Sequence, residues 1–321
     1  MKRLGMIYCK LYDKDNIRIA IHNAMKGKRH YKDIKKIKKN IEWYVDDLHK
    51  MLKERRYTNS TYTVFQRKSG GKIRDIYMLP FYPDRVVHHC IVQIVGHVWQ
   101  NTLIYDTYST VPGRGPHLCA YKIKKLLRND KWKYALKMDI KKYYPSINNG
   151  KLKGVVRHKI KDKYLLQMID NIIDSAEGVP IGNYVSQWFG NLYLCAFDHY
   201  VKEKMGVKNY FRYCDDLVFI GETKQELWGY FNQVREYLFN NLHLDVKPNY
   251  QVFPISKGLD FLGFRFFQGY TLVRKRILQA MKKKLHKPRS KASYFGWLAH
   301  ADSHRLICKY FTEQYALKRT A

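Results

Sequence analysis

The chain of 321 residues carries 60 Lys and Arg against 27 Asp and Glu, a formal charge of +33, with 45% hydrophobic residues. That apolar content supports one large core or two to three subdomains and excludes a disordered chain, while a charge far beyond the needs of solubility points to a polyanion, nucleic acid first. Six cysteines without a C-x-x-C pair speak against a disulfide framework or a zinc site, and no apolar run forms a signal peptide or reaches the roughly 18 to 20 residues of a membrane span, so a cytoplasmic protein with reduced thiols is expected.

From about Ile17 to Arg56 the very basic sequence reads as helical, with Ile34, Ile37, Ile41, Val45, Leu48 and Leu52 at three- to four-residue spacing. "YTVFQRKSGGKIRDIYMLP" then alternates about Gly70 and Gly71, which predicts a β-hairpin whose turn is flanked by Arg67, Lys68, Lys72 and Arg74. A second helix, "DRVVHHCIVQIVGHVWQNTL", includes His88 and His89, which show no metal spacing and read as packing or backbone-contact residues. In the loop "YSTVPGRGPH" Arg114 is bracketed by glycines, a contact to template or nucleotide or a plain surface turn.

"KYALKMDI" reads as a buried strand ending on Asp139. "VPIGNYVSQWFGNLYLCAFDHYV" is apolar nearly all round in its second half, as a helix buried on more than one side would be. In "NYFRYCDDLVFIG" strand-forming residues flank Asp215 and Asp216, which places the pair at a hairpin tip. "KQELWGYFNQVREYLFNNL" then sets Leu227, Tyr230, Phe231, Val234 and Leu238 on one helical stripe. Strand, helix, hairpin, helix, strand describes a split βαβ-type sheet covered by helices, an α+β fold.

Two acids at a turn are by themselves an ordinary polar turn. Asp139 changes the reading, because adjacent strands of one sheet could bring it beside Asp215, and three carboxylates at one edge repel unless cations lie between them. Hard oxygen ligands select Mg²⁺ or Mn²⁺, and two such ions are the device of phosphoryl transfer.

These residues resemble a family. "YCDD" resembles the Y-x-D-D box of reverse transcriptases, "KMDIKKYYPSI" their first palm motif, and "SGGKIR" the fingers hairpin that grips the incoming triphosphate; "LDVKPNYQV" and "LDFLGFRFF" look like the following palm and primer-grip motifs. All stand in the family's order, from about Tyr57 to the C-terminus. The resemblance implies a right-hand polymerase, with a basic helical extension and fingers over 1–130, a palm over 131–257, and a primer grip and small helical thumb over 258–321. It also implies RNA-directed DNA synthesis with two Mg²⁺, or Mn²⁺, held by Asp139, Ile140, Asp215 and Asp216. By the same resemblance Lys72 and Arg74 bind the β and γ phosphates, Tyr144 lies beneath the sugar and excludes a 2′-hydroxyl, and Lys247 protonates the departing pyrophosphate. The stretch "RKRILQAMKKKLHKPRSK", with Arg274, Lys275, Lys282 and Lys283 and with Trp297 beyond it, is similar to a thumb that tracks the primer and template, or is a solvated helix face.

"IGNYVSQ" narrows the likeness. An aliphatic residue before the glycine and a Ser-Gln ending resemble the reverse transcriptases of diversity-generating retroelements, whereas Gln-Gly followed by Ser-Pro is usual in group II intron and retron enzymes. Ile181, Gly182 and Gln187 are then nucleotide-binding, and Ile181 offers no hydrogen bond where an amide would, which suits low fidelity at template adenines. The implied partners are a template RNA, a primer and cDNA, dNTPs and a small basic accessory oligomer, in a bacterial, archaeal or phage-encoded system; a basic accessory protein needs an acidic or apolar patch to dock on, and the acidic "EWYVDD" is one candidate. A retron, group II intron-like or antiphage defence enzyme, or a catalytically silent RNA-binding protein on the same fold, is the alternative.

Overall fold

A computed structural model describes residues 3–28, 30–69 and 71–311. The chain folds into two interleaved units. The first comprises Met1–Ile104, Lys141–Tyr200 and Tyr237–Asp245; the second comprises Tyr105–Ile140, Val201–Glu236 and Val246–Ala321.

In the first unit the expected helical stretch from Ile17 to Arg56 is three helices, Lys14–Met25, Lys32–Lys39 and Ile41–Lys53. The first begins earlier than the apolar spacing suggests because the Asp13 carboxylate caps it, accepting from the backbone N–H of Asp15 and Asn16. The second break falls at Asn40, whose φ of −143° and ψ of 56° leave the helical region. The apolar stripe survives the breaks: Ile34, Ile37, Val45, Leu48 and Leu52 are buried, and only Ile41 is half-exposed. The acids of "EWYVDD" are engaged within this unit, Glu42 by Arg18, Asp46 by Lys14 and Asp47 by the Tyr82 hydroxyl.

The expected hairpin is β1 (Thr63–Ser69) against β2 (Lys72–Met78), antiparallel; Gly70 of its turn lies outside the described residues. Helix Val86–Gln100 buries Val87, Ile91, Val95 and Trp99 together with His88 and His89. Helix Ser186–Tyr193 is buried on nearly every side, as its uniform apolarity predicts, with Trp188, Phe189, Leu192 and Tyr193 all in the core.

The second unit is built on a four-stranded antiparallel sheet. Its strands are β3 (Tyr134–Asp139), β4 (Tyr210–Tyr213), β5 (Asp216–Gly221) and β6 (Gln251–Pro254), in spatial order β4-β5-β3-β6. This is the sheet order of a split βαβ unit. Alternation along the strands sends Ala135, Phe211, Val218 and Ile220 into one core with a second sheet, β7 (Leu259–Phe261), β8 (Phe264–Phe266) and β9 (Thr271–Val273), and with helix Pro116–Leu126. Helix Lys224–Leu242, whose last residues from Tyr237 belong to the first unit, buries Leu227, Phe231, Val234 and Leu238. Among the described residues no helix is long and apolar enough to cross a membrane.

Candidate active site

Antiparallel pairing of β3 with β5 sets Asp139 directly opposite Asp216, and the pairing of β4 with β5 closes Tyr213 on Asp216, so Cys214 and Asp215 form a two-residue turn. Cross-strand partners share a face, so Asp139 and Asp216 are brought side by side from residues distant in sequence. The turn is tied to β3 by the Ile140 N–H, which donates to the Asp215 carbonyl at 3.2 Å. Cys214 takes φ +54°, a conformation that a non-glycine residue adopts at some cost. Beneath it Arg212, fully buried, donates from Nη1 to the Cys214 carbonyl at 3.2 Å and from Nη2 to Thr107 Oγ1 at 3.4 Å. The loop that starts at Tyr105 completes this support, with Arg212 N–H donating to the Asp106 carbonyl and Tyr108 N–H to that of Arg212.

Lys247 follows the strand-like bridge between Ile140 and Val246; its N–H donates to the Asp139 carbonyl at 2.8 Å. Its ammonium donates to Asp139 Oδ1 and lies 4.0 Å from Asp215 Oδ2. Lys137, two residues before Asp139 and therefore on the same face of β3, anchors its ammonium on the Asp260 carbonyl at 2.7 Å. A cleft of about 750 Å³ opens beside Asp139 and Asp216, lined also by Lys137, Tyr250, Lys257 and Arg265.

Burial, and then the charge of Asp139, push the Asp215 carboxyl up to about 7. Asp216 is raised in the same direction by burial, which the cations Lys137, Lys247 and Arg274 oppose. Among the described residues no three His, Cys, Asp or Glu side chains are closed into a cluster around an ion position. The donor set nevertheless fits hard dications: it offers carboxylate oxygens, with no sulfur or imidazole among them, and its mutual repulsion is the kind that a bound cation relieves. Ile140, buried and apolar, could contribute only its carbonyl.

The remaining sequence-predicted residues fall into separate places. Lys72 opens β2, and Arg74 is exposed directly across from Arg67 on β1. Ile181 is half-buried, and its carbonyl accepts the Tyr77 N–H of β2 at 2.8 Å. Gly182, at φ +136°, is required there, since a Cβ would stand 2.3 Å from the Tyr77 carbonyl oxygen. Gln187 is exposed in the first turn of helix Ser186–Tyr193, and Tyr144 is half-buried in the same unit. In the second unit Arg114 lies 4.9 Å from the Tyr105 ring. Lys275, Lys282 and Lys283 are exposed on helix Lys275–Lys284, while Arg274 is held by Asp260 and the Trp297 ring packs on Phe264 and against Gly263. Sequence reasoning missed Arg212 as the support of the turn; the signal was a lone cation in an apolar strand, "YFRY".

The model of the family described as reverse transcriptase (RNA-dependent DNA polymerase) matches residues 66–266, well over half of the sequence. The chain belongs to the reverse transcriptase family. Among curated proteins it is similar to Protein YkfC of Escherichia coli strain K12, 24% identical over an alignment of 260 residues, with coverage of 66% of each chain. Among solved structures it is similar to apo telomerase from Candida tropicalis, with a TM-score of 0.52, 14% identity and coverage of 76% of this chain and 52% of that one. It is also similar to telomerase of the same organism in complex with a fragment of telomeric RNA, with a TM-score of 0.54, 12% identity and coverage of 71% and 49%. This reverse transcriptase chain thus spans about half the length of those telomerase chains, and the likeness is one of fold, that of a right-hand polymerase.

Proposed function

We propose that the chain is an RNA-directed DNA polymerase, extending a primer 3′-hydroxyl on an RNA template by attack on the α-phosphate of a dNTP. One observation carries this reading: the strand register that sets Asp139 opposite Asp216 beside the turn holding Asp215, with the Lys247 ammonium against them. Asp139, Asp215 and Asp216, with the Ile140 carbonyl, are assigned to two Mg²⁺ or Mn²⁺ ions, which when bound supply charge neutralisation and lower the pKa of the attacking hydroxyl. Lys247 holds a proton beside these acids and is the assigned donor to departing pyrophosphate. Lys72 and Arg74 take the β and γ phosphates, Arg74 by its planar fork. Tyr144 excludes the 2′-hydroxyl, Ile181, Gly182 and Gln187 frame the nascent pair, and Arg114 contacts template or nucleotide. Arg274, Lys275, Lys282, Lys283 and Trp297 belong to a thumb that follows the primer and template, in a fingers, palm and thumb division at about residues 130 and 257. The fold shared with a telomerase in complex with telomeric RNA supports an RNA partner.

Within this class the reading is an error-prone enzyme of a diversity-generating retroelement, supported by Ile181 and Gln187 in "IGNYVSQ". Such an enzyme works with a small basic accessory protein in the cytoplasm of its host. The test is primer extension on a defined RNA with Mg²⁺, with and without that accessory protein. Asp215→Asn is expected to lower the rate about a thousandfold or more, because the ions lose a ligand; extension by Asp215→Asn at the native speed would falsify the assignment. Sequencing the cDNA separates the subfamilies: errors concentrated at template adenines, reduced in Ile181→Gln, support the retroelement, whereas a uniform low rate moves the chain to the retron, intron or defence enzymes.

A further inference from the structure

Helix Ser186–Tyr193 carries a glycine at its fifth residue, Gly190, in a buried helix interior where glycine is less favourable than alanine. A glycine in such a place has a packing reason. A Cβ built on Gly190 would meet Tyr144 Cε1 at 3.1 Å, Tyr144 Cζ at 3.4 Å and Tyr143 Cε1 at 3.4 Å. The Tyr143 hydroxyl also donates to the Gly190 carbonyl, and the two tyrosine rings lie 5.3 Å apart. The other end of the segment is fixed as firmly. Val179 N–H donates to the Tyr144 carbonyl at 2.9 Å, and Gly178, at φ +68°, lies so close that a Cβ would stand 2.6 Å from the Pro145 carbonyl oxygen. The backbone of Tyr144 is therefore held on one side, and its ring lies 3.1 Å from where the methyl carbon of an alanine would be, closer than side chains ordinarily pack.

We infer that Gly190 is a positioning residue that sets the depth of the Tyr144 ring and through it the choice between deoxyribose and ribose. The inference rests on the reading of Tyr144 as the ring that excludes the 2′-hydroxyl. With the Gly190 backbone held in a buried helix and the Tyr144 backbone held by Val179, the ring is the part left to give, so an added methyl group shifts it a few tenths of an ångström away from the helix and narrows the space left for the sugar.

The experiment compares kcat/KM for dNTP and rNTP insertion in the full chain for the wild type, Gly190→Ala, Tyr144→Ala and the double variant. Gly190→Ala is expected to raise the preference for dNTP roughly tenfold, the scale of one methyl group in a tight pocket. In the Tyr144→Ala background the same change is expected to do nothing, since the group through which it acts is gone. Gly154→Ala, in helix Asn149–Arg157 with nothing within 4 Å of the new Cβ, is the control and leaves the ratio unchanged. An unchanged ratio in Gly190→Ala, or an equal shift with and without the Tyr144 ring, overturns the inference while leaving Tyr144 in its role. If Tyr144→Ala itself gains no ribonucleotide use, it is the reading of Tyr144 that fails. Should Gly190→Ala be insoluble, the double variant, which lacks the clash, must be soluble; an insoluble double variant counts against the inference.

Discussion

Asp215–Asp216 and His88–His89 are both adjacent titratable pairs set in apolar sequence, and the fold desolvates both. Burial pushes Asp215 up to about 7, and it pushes His88 down to about 4 and His89 down to about 3. Each pair is driven toward its neutral form, yet the surroundings differ. The histidines begin a buried helix, where the His89 ring stacks on Tyr184 at 3.8 Å and the nearby charges are mainly cationic, Arg85 and Lys28 among them. Neutral imidazole is at home there. The aspartates stand at a turn beside a third acid, Asp139, and an open cleft, with Lys247 already drawn in. Desolvation that packs away a neutral pair in one place leaves, in the other, neighbouring carboxylates whose repulsion a bound cation would relieve.

The strongest way to break the comparison is to remove what holds the aspartate turn. Arg212→Ala leaves the Cys214 carbonyl and Thr107 without their buried donor and opens a cavity, at an expected cost of about 3 kcal/mol in chemical denaturation. His88→Asn is expected to cost less, since the His88 Nε2 has no hydrogen-bond partner in the structure to lose. A loss for His88→Asn as large as for Arg212→Ala would mean that the histidine pair is also a supported site.

The pH dependence of stability sharpens the contrast because the two pairs have opposite signs. The folded-state pKa of Asp215 is raised, so its contribution is fully present below the ordinary carboxylate range and is lost as pH rises through about 7. In chelator at pH 8, Asp215→Asn should therefore be more stable than the wild type by about 1 to 2 kcal/mol, discounted for the exposure of the turn. Adding Mg²⁺ should raise the wild-type melting temperature more than that of the variant. The folded-state pKa of each histidine is depressed, so stability is full above the ordinary imidazole value and falls as pH drops from about 6.5 toward 4 and 3. Denaturant titrations at pH 7.5 and 5 should show a loss of about 1 kcal/mol or more from each histidine. A wild-type loss on the acid side that persists in His88→Asn and His89→Asn would remove the histidines from this account.

The acids were legible in the sequence because a strand has a period of two: an apolar run ending on Asp139 and another flanking Asp215 can be aligned from the pattern alone. The buried stripes of helices Ile41–Lys53 and Lys224–Leu242 were legible for the same kind of reason. Arg212 was not, since its partners Thr107 and Asp106 lie about a hundred residues away, in a loop with no periodicity. The breaks between helices were hidden too, because Asn40 sits inside an apolar repeat that continues across it. Gly190 was hidden most deeply, for its part is played by an atom it lacks.

A third encounter of like charges, at the surface, calibrates the other two. Arg67 and Arg74 face each other across the hairpin of β1 and β2, both exposed, in a position where like charges destabilise a strand pair. Water and salt screen them, so the exposed pair is tolerated at small cost. Replacing Arg67 with Gln should give only a small rise in melting temperature at low ionic strength, vanishing in high salt. If this hairpin grips the triphosphate as proposed, the same variant should raise the KM for dNTP, because the field that costs the free hairpin a little is the field that draws the anion in. A rise in melting temperature that survives high salt would mean that Arg67 was strained by packing, and the charge argument would then fail for this pair.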